Sequence, residues 1–348
     1  MNPYQEFIDS PDFHKEGCIN LMTFPACAIK VETTEAIKEF VKNYNQSHKV
    51  KIHYPMGNED SPKSYMEALR WVEDPNRYPD VILACDFKSL FAPNFKKFQE
   101  QGIFTDVLKD AKPHSFYETF DYKDPKETYS MLGASFSVIV FDKSVDSNLP
   151  VPTSFKDLLD PIYEKKISIH GHGDDSCDMT IVVNIYEQYG KAAALTFAKA
   201  IKELRHFSKV VKEAGKGNKS IPPISIIPEN FGYLLRNRKN IEVIWPQDGS
   251  PVFPLLMTVK KEKADQAKEL IDYLSGPELG QYWGDSHFAS FNQNVENKEY
   301  QGKPIRYLGW DFVYDKDILE FRESLEEEVL EIVRGYPMDK KEKVQRIC

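Results

Sequence analysis

"LPVPTSFKDLLDPIYEKKISI", residues 149–169, is where the chain enters a second α/β unit. Thr153 or Ser154 is placed to cap a helix, and Pro161 ends that helix or turns the chain before the apolar strand at 167–169. Upstream, "ETYSMLGASFSVIVFDKS" (127–144) is a long β-rich stretch closed by a polar turn. Downstream, the pattern predicts a helix from Met179 to Tyr189 stopped by Gly190, a second helix over 192–206, and strands at 224–228 and 241–246. The unit therefore occupies roughly 133–254.

Further out, the amino-terminal third reads as strand, helix, strand, helix, strand. Ile19 and Leu21 alternate in the first strand, and Val31, Ile37, Phe40, Val41 and Tyr44 recur at helical spacing. "VKIHYP" (50–55) is a second strand, "SYMEALRWV" (64–72) a short helix, and "DVILACD" (80–86) an almost uniformly apolar strand suited to a parallel sheet. After 254 come the rest of a strand at 250–261, an amphipathic helix over 262–284 broken at Gly276-Pro277, and an acidic amphipathic helix, "DILEFRESLEEEVLEIVRGY".

Composition sets the outer bounds. The 348 residues are 41% hydrophobic and 28% charged, which describes a globular chain large enough for two lobes. A net charge of −9 argues against nucleic-acid or anionic-membrane partners, which reward clustered Lys and Arg. No apolar run approaches the ~20 residues that span a bilayer, so membrane insertion is not expected. The first seventeen residues lack the basic start and apolar centre of a signal peptide, so the chain as written is expected in the cytoplasm. A leader removed from a longer chain would place it in the periplasm or outside the cell. Five cysteines (Cys18, Cys27, Cys85, Cys177, Cys348) contain no CxxC pair, which argues against a disulfide framework or a zinc ribbon.

Three stretches carry a resemblance: the one at 149–169, "PDVILACDFKSLFAPNFKKFQEQGIFTDV" (79–107), and "VIWPQDGSPVFPLLMTVKKEKADQAKELIDYLSGPELGQ" (243–281). In this order the chain resembles the type II periplasmic binding-protein fold, the solute-binding component of ABC importers, over about 18–295, near the branch of the ferric-iron binders. The resemblance implies an α/β fold of two lobes, each a mixed sheet flanked by helices, with a ligand cleft between them. Lobe one would be 18–132 with 255–291, and lobe two 133–254 with 292–348, after an extension of residues 1–17. It further implies a monomer that carries a small molecule or metal ligand to an ABC-transporter permease.

Ligands of open α/β sheets sit beyond the carboxyl ends of the strands. Those ends place Thr23, Phe24, Cys27, Met56, Asn58, Cys85 and Asp86 in lobe one, and His172, Asp174, Asp175, Glu229, Phe231 and Tyr233 in lobe two. "GHGDDSCD" (171–178) can be a helix start capped by Asp174, Asp175 or Ser176, or a ligand grip. Three carboxylates there would repel an oxyanion and suit a cation, a metal or a metal complex. His170, His172 and Cys27 supply nitrogen and sulfur donors for a transition metal. Ferric binders of the branch use adjacent tyrosines where this chain has "PENFGYLL", so two neighbouring phenolates are not available. Phe231, Tyr233 and Trp245 instead suit an aromatic wall or the core. Alternatives are an enzyme using Cys27 or Cys85 as nucleophile with Asp86 or Glu229 as base, an intracellular sensor or metallochaperone, and a module docking through the acidic helix.

Overall fold

A computed structural model describes residues 2–55, 62–85, 89–171, 178–297 and 300–335. The chain divides into two compact units, Met1–Ala134 with Pro254–Glu299 and Ser135–Phe253 with Tyr300–Cys348.

In chain order the regular elements are α1 (Gln5–Ile8), β1 (Ile19–Phe24), α2 (Lys30–Ser47), β2 (Ile52–His53), α3 (Pro62–Leu69), β3 (Val81–Cys85), α4 (Pro93–Glu100), β4 (Phe104–Thr105) and β5 (Ser130–Asp142). Next come β6 (Ile167–Ile169), α5 (Met179–Tyr189), α6 (Lys191–Ala200), β7 (Ile201–Leu204), α7 (Phe207–Glu213), β8 (Ile224–Pro228), α8 (Glu229–Tyr233), β9 (Ile241–Ile244) and β10 (Ser250–Lys260). The last are α9 (Lys268–Leu274), α10 (Pro277–Asp285), β11 (Ala289–Ser290), β12 (Ile305–Arg306), α11 (Trp310–Asp315) and α12 (Ile318–Arg334).

The first unit is built on β1, which runs parallel to β2 on one side and to β3 on the other. β3 pairs antiparallel with the returning β10. Every residue of β1 and β3 is buried, as the continuous apolar run of 81–85 requires of strands covered on both faces. Helix α2 lays Ile37, Val41 and Tyr44 on this core. Val31, expected on the same face, is 67% exposed, and Thr33 is buried instead because its hydroxyl accepts the indole N–H of Trp283 at 2.9 Å. Gly276 and Pro277 break the long helix into α9 and α10, Pro277 standing at the first position of the second helix.

In the second unit β6 lies between β7 and β8 and is parallel to both, while β5 pairs antiparallel with β8 and β9. α5 ends at Gly190, whose φ of 84° suits glycine and whose N–H reaches the Tyr186 carbonyl at 2.8 Å. α12 packs on α5, α6 and β7, with Phe321 edge-on to Tyr186 at 4.8 Å and Glu328 paired to Lys191 at 2.8 Å.

Two expected helices differ. The 149–169 stretch forms two short 3-10 turns, Asp157–Leu159 and Pro161–Tyr163, because Asp160 precedes a proline and is held extended at ψ 134°. The capping chemistry survives around them: the Asp157 carboxylate accepts from the Thr153 and Ser154 amides at 2.8 and 3.1 Å, and Ser154 Oγ accepts from the Asp157 amide at 3.0 Å. The helix expected over 192–206 stops at Ala200, and 201–204 pair with β6 as a strand. The hydrogen bonds of a sheet edge outweigh the helical preference of a Lys-Glu pair.

Candidate functional site

In the first unit the three parallel strands bring their carboxyl ends to one edge of the sheet. At the end of β1, Thr23 is buried and its hydroxyl shares a 2.7 Å hydrogen bond with the Tyr54 hydroxyl just beyond β2. Burial pushes the Tyr54 phenol up to about 12, which leaves it a neutral hydrogen-bonding group. Phe24 follows, 8% exposed. Cys27 is exposed in the turn ahead of α2, whose first residue no side chain caps. Cys85 is buried at the end of β3, opposite Leu255. Met56, Asn58 and Asp86 lie outside the described residues.

In the second unit the edge is formed by the ends of β6, β7 and β8. They deliver His170, then Arg205 and His206, then Glu229. The His170 ring stacks on Phe207 at 4.2 Å and lies 5.4 Å from the ring of His206. Phe207 in turn packs on Phe231 at 5.2 Å. The carbonyl of His170 accepts the Asp178 amide at 2.9 Å; His172, Asp174 and Asp175 lie outside the described residues. The cap of α5 is Asp178, which accepts from the Thr180 amide at 2.9 Å, and not Asp174, Asp175 or Ser176. An aspartate at the residue before the first turn has the reach to that amide.

Glu229 is fully buried and paired to the Arg236 guanidinium. Arg236 also lies over the ring of the half-exposed Tyr233, 5.2 Å from its centroid. Arg205 is held by Glu203 at 3.2 Å and by Glu213 at 2.6 Å. Trp245 packs against the same core cluster as Phe231 and also on Phe136 at 5.4 Å, donates its N–H to the Pro304 carbonyl at 2.6 Å, and is covered by the Lys303 ammonium at 4.5 Å. Phe231 belongs to the margin of a core cluster with Val138, Val210 and Leu235. Among the described residues no group of three His, Cys, Asp or Glu side chains is placed to hold a metal ion.

His206, Phe207 and Arg236 were not legible as site residues. The helix expected over 192–206 put His206 inside an element that ends six residues earlier. Nothing in "IKELRHF" separates a helix face from a strand until β6 pairs with it.

Mixed sheets with this parallel core and returning antiparallel strand define the two-lobed periplasmic binding proteins, and solved structures of that class match nearly the whole chain. They include the apo ferric ion-binding protein A of Pasteurella haemolytica (17% identity, TM-score 0.58, covering 92% of this chain and 97% of that one). The Bordetella ferric binding protein matches at 15% identity and TM-score 0.56, over 90% and 98% of the two chains. AfuA of Actinobacillus pleuropneumoniae, with fructose-6-phosphate bound, matches at 15% and 0.60, over 92% and 99%. The family model described as bacterial extracellular solute-binding protein matches residues 76–316, and the chain belongs to that family. No curated protein sequence matches it. The chain is thus a solute-binding protein, in a family of binding proteins. No described helix is long and apolar enough to cross a membrane.

Proposed function

We propose that the chain binds a small cationic solute, a transition metal or a metal complex at the carboxyl edges of its two sheets, closes around it, and presents it to an ABC-transporter permease. The observation that carries the reading is the pair of imidazoles, His170 and His206, brought to one edge 5.4 Å apart, with Phe207 stacked on His170 and Phe231 packed on Phe207. Imidazole nitrogen suits zinc, copper, nickel or iron, and the flanking rings suit the organic part of a complex or an organic cation. The charges at that edge support the same choice. Arg205 and Arg236, the guanidiniums that would recruit an oxyanion, are both engaged by carboxylates. In the first unit Thr23, Phe24 and Cys27 complete the proposed set, with Met56, Asn58, Asp86, His172, Asp174 and Asp175 as further contacts. A ferric ion held by two neighbouring phenolates is disfavoured, since α8 presents Phe231 and Tyr233 with Gly232 between them.

The test starts from protein purified without a histidine tag, by native mass spectrometry and elemental analysis of one sample. Calorimetry with Zn²⁺, Cu²⁺ and Ni²⁺, ferric citrate, phosphate and fructose-6-phosphate follows. Binding of a metal or complex that weakens at least about tenfold in both His170→Ala and His206→Ala is expected. Tight binding of phosphate or a sugar phosphate, indifferent to both substitutions, would overturn the reading.

A further inference from the structure

The amino-terminal segment packs across the first unit as a strap. Phe7 meets Tyr65 of α3 edge-on at 4.7 Å and Phe13 stacks on it at 6.0 Å, Ile8 and Phe13 are buried, and Tyr4 donates to Glu67 at 2.5 Å. Arg77 reaches the Ile8 carbonyl, and His53 lies 3.0 Å from the Asp12 carbonyl. At the end of the strap His14 enters a polar cluster formed by Asn20, Asp80 and Lys260.

The hydrogen bonding of that cluster fixes the protonation state of His14. Its Nε2 lies 3.1 Å from Asn20 Nδ2, a donor, so Nε2 must accept and the ring proton sits on Nδ1. Rotating the Asn20 amide does not relieve this requirement. Asn20 Oδ1 already accepts the Lys15 amide at 2.8 Å, and Nδ2 faces the Asp80 carboxylate at 3.2 Å and the Lys15 carbonyl at 3.1 Å. A flipped amide would set oxygen against both. The second proton of an imidazolium would therefore point at an N–H₂ group.

The charges around the ring add to the conflict. Lys260 of β10, Arg77 ahead of β3 and His53 of β2 disfavour a further cation, and Asp80 favours it. Asp80 is already committed, with one oxygen on the Lys260 ammonium at 3.0 Å and the other on the Asn20 amide at 2.8 Å. Burial and then Lys260 hold the His14 imidazole down at about 4.

We propose that residues 2–17 are an acid-released strap, docked while His14 is neutral and detached when His14 takes up a proton at Nε2. The detached segment carries an imidazolium in water and uncovers the aromatic face formed by Tyr65 on α3.

The test is amide hydrogen exchange of the full chain, read by mass spectrometry between pH 7.5 and 4.5 and corrected for intrinsic rates. Opening of the strap peptides should rise by up to about tenfold per pH unit below about 6.5, while peptides of α9 keep constant protection. His14→Gln keeps an acceptor for Asn20 and cannot titrate, so its strap should lose that slope; His53→Gln should keep it. Equal slopes in wild type and His14→Gln, or loss of the slope in His53→Gln alone, would overturn the proposal. Should the strap fail to dock in the His14→Gln variant, the wild-type NMR titration of His14 decides: a midpoint near 6.5 in the docked state overturns the proposal, and one near 4 supports it.

Discussion

Removing the charge of Asp80 should cost the first unit more than any surface substitution. Asp80 and Lys260 are 1% and 3% exposed, and their charged groups lie 3.0 Å apart. At an effective dielectric of about 20 that contact is worth roughly 5 kcal/mol gross, and it offsets the desolvation of two ions. Asp80→Asn keeps an oxygen for the Asn20 amide but leaves the Lys260 ammonium buried without its counter-ion. The expected loss is about 3–5 kcal/mol in urea unfolding followed by circular dichroism, read as a lower midpoint at constant slope. Adding Lys260→Met removes the stranded charge and replaces it with a side chain of similar length, so the double variant should recover more than half of the loss. A single-variant loss below about 1 kcal/mol, or a double variant no more stable than the single, would refute the reasoning. The first result would mean that water reaches the pair, and the second that the loss comes from the Asn20 hydrogen bonds and not from charge.

Thr33→Val strands the buried indole N–H of Trp283 and should cost about 1–3 kcal/mol by the same assay, with Thr33→Ser close to wild type. Gly232→Ala would place a Cβ 2.6 Å from Val138 Cγ2, and should destabilise by about 1–3 kcal/mol unless Val138→Ala is made with it. Tyr54 has its folded pKa raised from 10.0 to about 12, so the folded state holds its proton more tightly than the unfolded chain. Stability should therefore be intact below pH 10 and fall between about pH 10 and 12, by roughly 1–2 kcal/mol after allowance for partial exposure. Tyr54→Phe should flatten that fall in alkaline unfolding curves.

The strands and most helices were legible because they depend on local periodicity and on residues with a single backbone role. The alternation of Ile19 and Leu21 gave β1, an almost uniform apolar run gave β3 and a long β-rich stretch gave β5, while Gly190 ended α5 and Gly276-Pro277 divided α9 from α10 at the expected place. The alternation of strand and helix indicated α/β units, and the resemblance of three stretches, in their order, to the periplasmic binding-protein family implied the two-lobed fold. Local sequence also supplied the candidate ligand residues wherever a strand visibly ended.

Tertiary structure decided the rest, because pairing and burial depend on partners far along the chain. Residues 201–204 became a strand only when β6 presented an edge to them, and that change of element is what carried His206 to the side of His170. Glu229, read from the sequence as a ligand contact or base, became the buried partner of Arg236. Asp178 took the cap for which Asp174, Asp175 and Ser176 were the candidates in the sequence. His14 and Asn20 look ordinary among polar neighbours in the sequence. They acquire a protonation requirement only where Asp80 and Lys260, 180 residues apart in number, share the same few ångströms of low-dielectric space.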